Sequence, residues 1–148
     1  MRVRREYITL RTRQRVADRA QHTCEYCRHR DDYIYDSFEI EHVIPLAHPL
    51  SSNALRNLAY ACGGCNGFKG AKTHATDPAT GEEVPLYNPR QQRWSDHFAW
   101  TPDYTQIVGL TPTGRATVDA LRLNRVGLQN LRRSLHRDGQ HPPDEPES

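Results

Sequence analysis

At 148 residues, with 36% hydrophobic and 26% charged side chains, the chain can make one compact domain with an adequate core. No apolar run approaches the ~18 residues of a membrane-spanning helix. The opening residues, Met1 to Glu6, lack the apolar stretch of a secretory leader, so a cytoplasmic protein with no membrane partner is the expectation. The net charge of +2 is unevenly spread: residues 1–30 carry nine arginines against three acids and residues 101–137 six against two, while 31–56 and 138–148 are acidic. Two basic regions flanking an acidic middle suit a protein that grips phosphates.

In chain order, residues 1–11 read as a basic extended arm with Tyr7, Ile8 and Leu10 available to pack. Thr12 can cap a helix over 13–20, whose apolar side is Val16, Ala17 and Ala20. Arm and helix, residues 1–23, deliver Cys24 to a knuckle closed by Cys27, with Tyr26 between the two. Residues 33–43 read in part as a strand pair: Phe38 and Ile40 point one way, Glu39 and Glu41 the other. Glu41 and His42 then face opposite sides unless the strand ends or bends at that point, and Pro45 suits such an end. A second strand is expected to begin at 44–46. Residues 47–56 form a polar loop, and 57–61 a short helical turn into Cys62. Gly63 and Gly64 make a second knuckle, followed by a helix over 65–72.

The region 73–90, rich in Thr, Pro, Gly and acids, reads as a loop excursion. Trp94, Phe98 and Trp100 read as core or cover for the domain, with His97 packed and hydrogen-bonded among them. A strand is expected at 107–110, a turn at Thr113–Gly114, and helices at 117–123 and 128–135. From Asp138 the tail, with three prolines and three acids in its last seven residues, is expected to be disordered.

Cys24-x-x-Cys27 and Cys62-x-x-Cys65 are two ligand pairs of the kind that hold a structural Zn²⁺, and they use all four cysteines. In a reducing cytosol this spacing points to metal before disulfide. No thioredoxin-like βαβ pattern surrounds either pair, which argues against a redox role. The 34 residues between the pairs exceed a zinc-ribbon gap and carry Glu41, His42 and Asn57, and Asn66 follows the second pair at once. The zinc is expected to hold these residues in place and to do no chemistry itself.

His42 can take a proton from water, since a free imidazole with pKa of about 6.5 is mostly neutral at cell pH. Glu41 and Asn66 offer oxygen ligands, which suit a hard, partly hydrated cation such as Mg²⁺ or Mn²⁺. The ordered series Glu41-His42-x-x-Pro45, Asn57-Leu58, Cys62-x-x-Cys65-Asn66-x-x-Lys69 resembles the HNH endonuclease family, in its cysteine-bearing subset. The resemblance covers residues 24–72. It implies an α+β fold: a ββα-metal (His-Me finger) core stapled by the four-cysteine zinc site, with flanking helices and a C-terminal extension, 73–137, packed on that core.

By resemblance, His42 is the general base, Asn57 orients it, and Glu41 and Asn66 hold the catalytic cation. Asn66 stands where many members have a last histidine, an H-N-N variant, and Glu41 stands where Asp is commoner. Lys69 and Arg56 are candidate phosphate contacts. Where the family often has Gly-Gly this chain has Ala47-His48-Pro49, and His48 reads as a loop histidine. The implied activity is metal-dependent hydrolysis of DNA phosphodiesters, nicking as a monomer, with a cut of both strands needing a homodimer or two events. The alternative is a zinc-stapled nucleic-acid-binding module without catalysis, which need not keep Glu41, His42, Asn57 and Asn66 together. The six arginines of 101–137 make that region the candidate for further DNA contacts.

Overall fold

The computed structural model describes residues 7–35 and 37–145. The basic arm's first six residues and the last three of the tail lie outside them. Helix α1 spans Leu10–Arg19 and is capped by Thr9, whose hydroxyl accepts the Thr12 amide, so the helix starts a turn earlier than Thr12 as cap implies. A serviceable N-cap three residues upstream satisfies one more orphan amide and wins.

Strand β1 (Phe38–His42) pairs antiparallel with β2 (Leu58–Cys62), with Phe38 opposite Cys62, Ile40 opposite Tyr60 and His42 opposite Leu58. Residues 57–61, expected as a helical turn, are therefore mostly strand, entered through a 3₁₀ turn at Leu55–Asn57. Residues 44–46, expected to begin the second strand, are bend and loop. Every residue of β2 is buried, so its apolar run carries no period and cannot be told from a helix by pattern. On one face of the hairpin, Phe38, Ile40, Leu58 and Tyr60 pack on Val16 and Ala17 of α1 and on Ala20, its C-cap. On the other, small Ala59 and Ala61 leave room for α2 (Gly63–Lys69), which packs against both strands. Hairpin and helix make the ββα unit.

The excursion at 73–90 contains a hairpin, β3 (His74–Thr76) with β4 (Glu83–Pro85). After α3 (Trp94–His97), β5 (Phe98–Trp100) pairs with β6 (Ile107–Gly109). Helix α4 (Pro112–Ala120) is capped by Thr111, so Thr113 and Gly114 lie inside a helix rather than at the expected turn. Gly114 serves close packing: a Cβ there would sit 2.1 Å from the His97 carbonyl oxygen. Helix α5 (Val126–Arg137) closes the chain's regular structure.

The main core joins the four cysteines and Tyr26 to Leu86, Tyr87, Trp94, Phe98, Ile107, Leu121, Leu123 and Leu128. The aromatics of 94–100 are thus core, and His97 shares a 2.7 Å hydrogen bond with the Thr111 hydroxyl. Residues 138–145 of the tail, expected to be disordered, are folded onto this body. His141 is 5% exposed, packs edge-on to Trp100 and bonds the Tyr104 carbonyl at 3.0 Å. Arg28 donates to the Asp144 carbonyl. Composition favours disorder here, but one buried imidazole and one arginine hold the segment. No helix among the described residues is long and apolar enough to cross a membrane.

Candidate active site and cysteine cluster

Two tight turns bring the cysteines together. In each, the amide of the second cysteine points at the sulfur of the first: Cys27 N to Cys24 Sγ at 3.5 Å and Cys65 N to Cys62 Sγ at 3.4 Å. All four sulfurs are buried, unbridged and within 4.8 Å of one another. Tetrahedral Zn²⁺ with bonds of about 2.3 Å sets its sulfurs about 3.8 Å apart. Cys27 and Cys62 stand 3.8 Å apart. The donor set and spacing fit a zinc ion.

Burial pushes the Cys24 thiol well above its ordinary value, while its three neighbours, hydrogen-bonding to it, hold Cys62 well below. A bound dication turns the whole set to thiolate. Arg125, at the N-cap of α5, lays its guanidinium over the cluster, 3.8 Å from Cys65 Sγ and 3.9 Å from Cys62 Sγ. It is steadied by the Leu121 and Arg122 carbonyls. A cation there offsets the charge of a zinc tetrathiolate, a role no spacing rule reveals. Arg132, 0% exposed, is consumed in the interior by the Thr105 and Leu123 carbonyls. Of the extension's expected DNA-contacting arginines, these two are structural.

At the other end of the hairpin, β1 stays regular through His42, so Glu41 and His42 face opposite sides. His42, half-buried, bonds through Nε2 to Asn53 Oδ1 at 2.7 Å. An amide oxygen only accepts, so Nε2 carries the proton and the Nδ1 lone pair is left for a base's work. Asn57 does not touch this ring. Its Oδ1 accepts the Ile44 amide at 2.8 Å, and its Nδ2 donates to the Ile44 and Ser52 carbonyls at 3.1 and 2.8 Å. Asn57 thus builds the loop, and the loop presents Asn53 to His42. Nothing in the sequence marks Asn53, one polar residue in a polar loop.

Glu41 is 4% exposed. Its Oε1 ion-pairs with Lys69 Nζ at 2.6 Å and its Oε2 accepts from the Tyr26 hydroxyl at 2.5 Å. Burial raises its carboxyl above the ordinary value, against the pull of Lys69. Lys69, a candidate phosphate contact by sequence, is 2% exposed and also donates to the Val43 carbonyl, so it faces inward. Asn66, one turn earlier on the same face of α2, donates to the exposed Glu39 carboxylate. A cation between Glu41 and Asn66 would have to displace Lys69 from the carboxylate. As arranged, these two side chains do not form a cation site. Arg56 is exposed beside Asn57, free to meet solvent or a ligand. His48 is an exposed loop residue whose Nδ1 accepts the Leu50 amide.

Residues 24–72 match the model of the HNH endonuclease family, a class generally made up of nucleases. The ββα unit and its cysteine cluster are therefore an HNH domain. Over 112 residues the chain is 32% identical to the Septu protein PtuB of Bacillus thuringiensis; the match takes in 75% of this chain and 40% of that protein. The chain thus spans less than half the length of that relative. No solved structure matches.

Proposed function

We propose that the protein is a DNA endonuclease in which His42 is the general base for phosphodiester hydrolysis. The observation that carries this reading is the 2.7 Å hydrogen bond between His42 Nε2 and Asn53 Oδ1 at the end of β1, inside the stretch that matches the HNH family, from which the tautomer follows. A neutral imidazole with Nδ1 free can draw a proton from water as the water attacks phosphorus. Asn57 acts one step back, holding the loop that carries Asn53. Arg56, next to Asn57, is placed to meet a phosphate oxygen at the same rim. The zinc site staples β2 and α2 to the N-terminal knuckle. The HNH likeness also implies Mg²⁺ or Mn²⁺ to stabilise charge on the phosphate. Glu41 and Asn66 would take it only if Lys69 released the Glu41 carboxylate, so no step here is routed through it.

The test is a supercoiled-plasmid assay on the zinc-loaded protein with Mg²⁺, Mn²⁺ or EDTA, beside His42→Ala with an unchanged circular-dichroism spectrum. Nicking by the wild type, and nicking slowed at least about 100-fold in His42→Ala, is the expected result. DNA bound but uncut by folded wild type would replace this reading with that of a zinc-stapled binding module.

A further inference from the structure

A cavity of about 590 Å³ lies beyond the edge of β2 that β1 does not use. Glu25 closes that edge, donating its amide to the Tyr60 carbonyl and accepting the Tyr60 amide. Five arginines line the cavity, Arg19, Arg28, Arg56, Arg90 and Arg93, against two acids, Glu25 and Glu145. Glu25 is spent on Arg90. Among the described residues, none of the other four arginines has a carboxylate oxygen within ion-pair distance.

Main-chain carbonyls, which orient a guanidinium without neutralising it, hold two of them instead. Arg19 donates to Leu55 and Leu58 at 3.0 and 2.6 Å, and Arg28, 5% exposed, donates to Asp144 at 3.1 Å. Withdrawing cations from water without a counter-anion is costly. Burial and the nearby Arg19 charge together pull the Arg90 guanidinium down to about 10. Arg56 and Arg93, both exposed, stand at the mouth. Arg19 clasps the carbonyls on either side of Arg56 and Asn57, so the cavity and the His42 loop share the 3₁₀ turn as a common wall.

From this enclosed, pre-oriented and under-neutralised set of guanidinium groups, we propose that the cavity binds a phosphate ester. Planar guanidinium forks match phosphate oxygens two by two. The phosphate can belong to a nucleic-acid strand continuing from the His42 loop or to a free nucleotide. The first source rests on the nuclease reading; phosphate binding itself does not.

The experiment titrates the zinc-loaded chain with inorganic phosphate, thymidine 5′-monophosphate and a short fluorescein-labelled oligothymidylate. The same titrations are run on Arg56→Gln/Arg93→Gln, two exposed substitutions whose folding is checked by circular dichroism. All probes that bind the wild type are expected to bind the variant about tenfold more weakly. If the strand is the source, the oligothymidylate is held tighter than the monophosphate, and its log–log salt slope falls by about 0.7 for each phosphate that the variant no longer neutralises. Equal affinity for monophosphate and strand assigns the site to a free nucleotide. Affinities for all three probes that do not differ between wild type and folded variant overturn the proposal. Wild-type chain that binds the probes through these arginines but does not nick plasmid removes the nuclease reading alone, whereas wild-type chain that nicks plasmid but binds the probes no better than the variant removes this proposal alone.

Discussion

Two asparagines divide the work around His42, and substitutions separate their roles. Asn57 bonds three half-buried main-chain groups, of which the Ile44 carbonyl also accepts from the Ser51 hydroxyl, so its loss strips the Ile44 amide and the Ser52 carbonyl, at about 1–3 kcal/mol each. Asn57→Ala should therefore lower stability by about 2–4 kcal/mol in urea unfolding, with activity lost as the loop loosens. Asn53 bonds the His42 ring from a half-buried position. Asn53→Ala should slow plasmid nicking about tenfold, and should alter the pH–rate profile, because either tautomer of His42 becomes available. An unchanged profile would leave Asn53 no part in positioning the base. Glu41 and Lys69 pose a separate question. Glu41→Gln strands a buried ammonium, a loss of about 3–5 kcal/mol, whereas Glu41→Gln/Lys69→Met should recover most of it. If the double variant regains stability and nicks at the wild-type rate, Glu41 is structural. Stability regained without nicking would make it a cation ligand. The sequence shows Glu41, His42, Asn57 and Asn66 in order, but not their partners. Partners depend on which way the strand faces and what the loop folds over, and spacing encodes neither.

Among the elements, β1 was legible because Phe38, Ile40 and the acids between them alternate, and α5 because Leu128, Leu131 and Leu135 share a face. Strand β2 was not, since Leu58–Cys62 is buried on both sides and any apolar pentapeptide would read alike. The cysteine spacing reveals the four-thiol cluster but not its cover, which arrives from the start of α5, about sixty residues later. That cover depends on a glycine at the start of α2. A Cβ on Gly64 would come within 2.9 Å of an Arg125 nitrogen, and the arginine, being flexible, would yield before the backbone. Gly64→Ala should therefore displace the guanidinium from Cys62 and Cys65 without unfolding the knuckle. Both Gly64→Ala and Arg125→Gln should release zinc to a chromogenic chelator about tenfold faster than the wild type, the scale of a lost partner to a metal's ligands. Equal release rates would show that Arg125 merely packs on Phe68, over which it also sits at 5.3 Å.

At the scale of the whole molecule, the cysteines are the centre of a core completed by Trp94, Phe98, Leu121 and Leu128, so the extension and the HNH domain stand or fall together. Zinc removal should accordingly melt residues 24–137 in one transition, with near-ultraviolet dichroism of Trp94 and Trp100 lost alongside far-ultraviolet signal. The tail adds a pH dependence to this body. His141 is enclosed by Trp100, His29, Arg132 and His136, and burial, the larger effect, with Arg132 and His136 behind it, lowers its pKa to about 4. Unfolded, it titrates near 6.5. Above about 6.5 it is neutral in both states and its packing contributes in full. Between that value and about 4 the unfolded chain holds a proton that the folded one does not, so stability falls with falling pH. Below about 4 the loss is complete. Cysteine protonation at the zinc site steepens the acid response of every variant alike, so the informative quantity is a difference. His141→Gln should lower Tm at about pH 7.5, yet lose less Tm than the wild type between about pH 7.5 and 5. Parallel Tm–pH curves for the two would mean that the imidazole is solvated and that the tail does not dock through it.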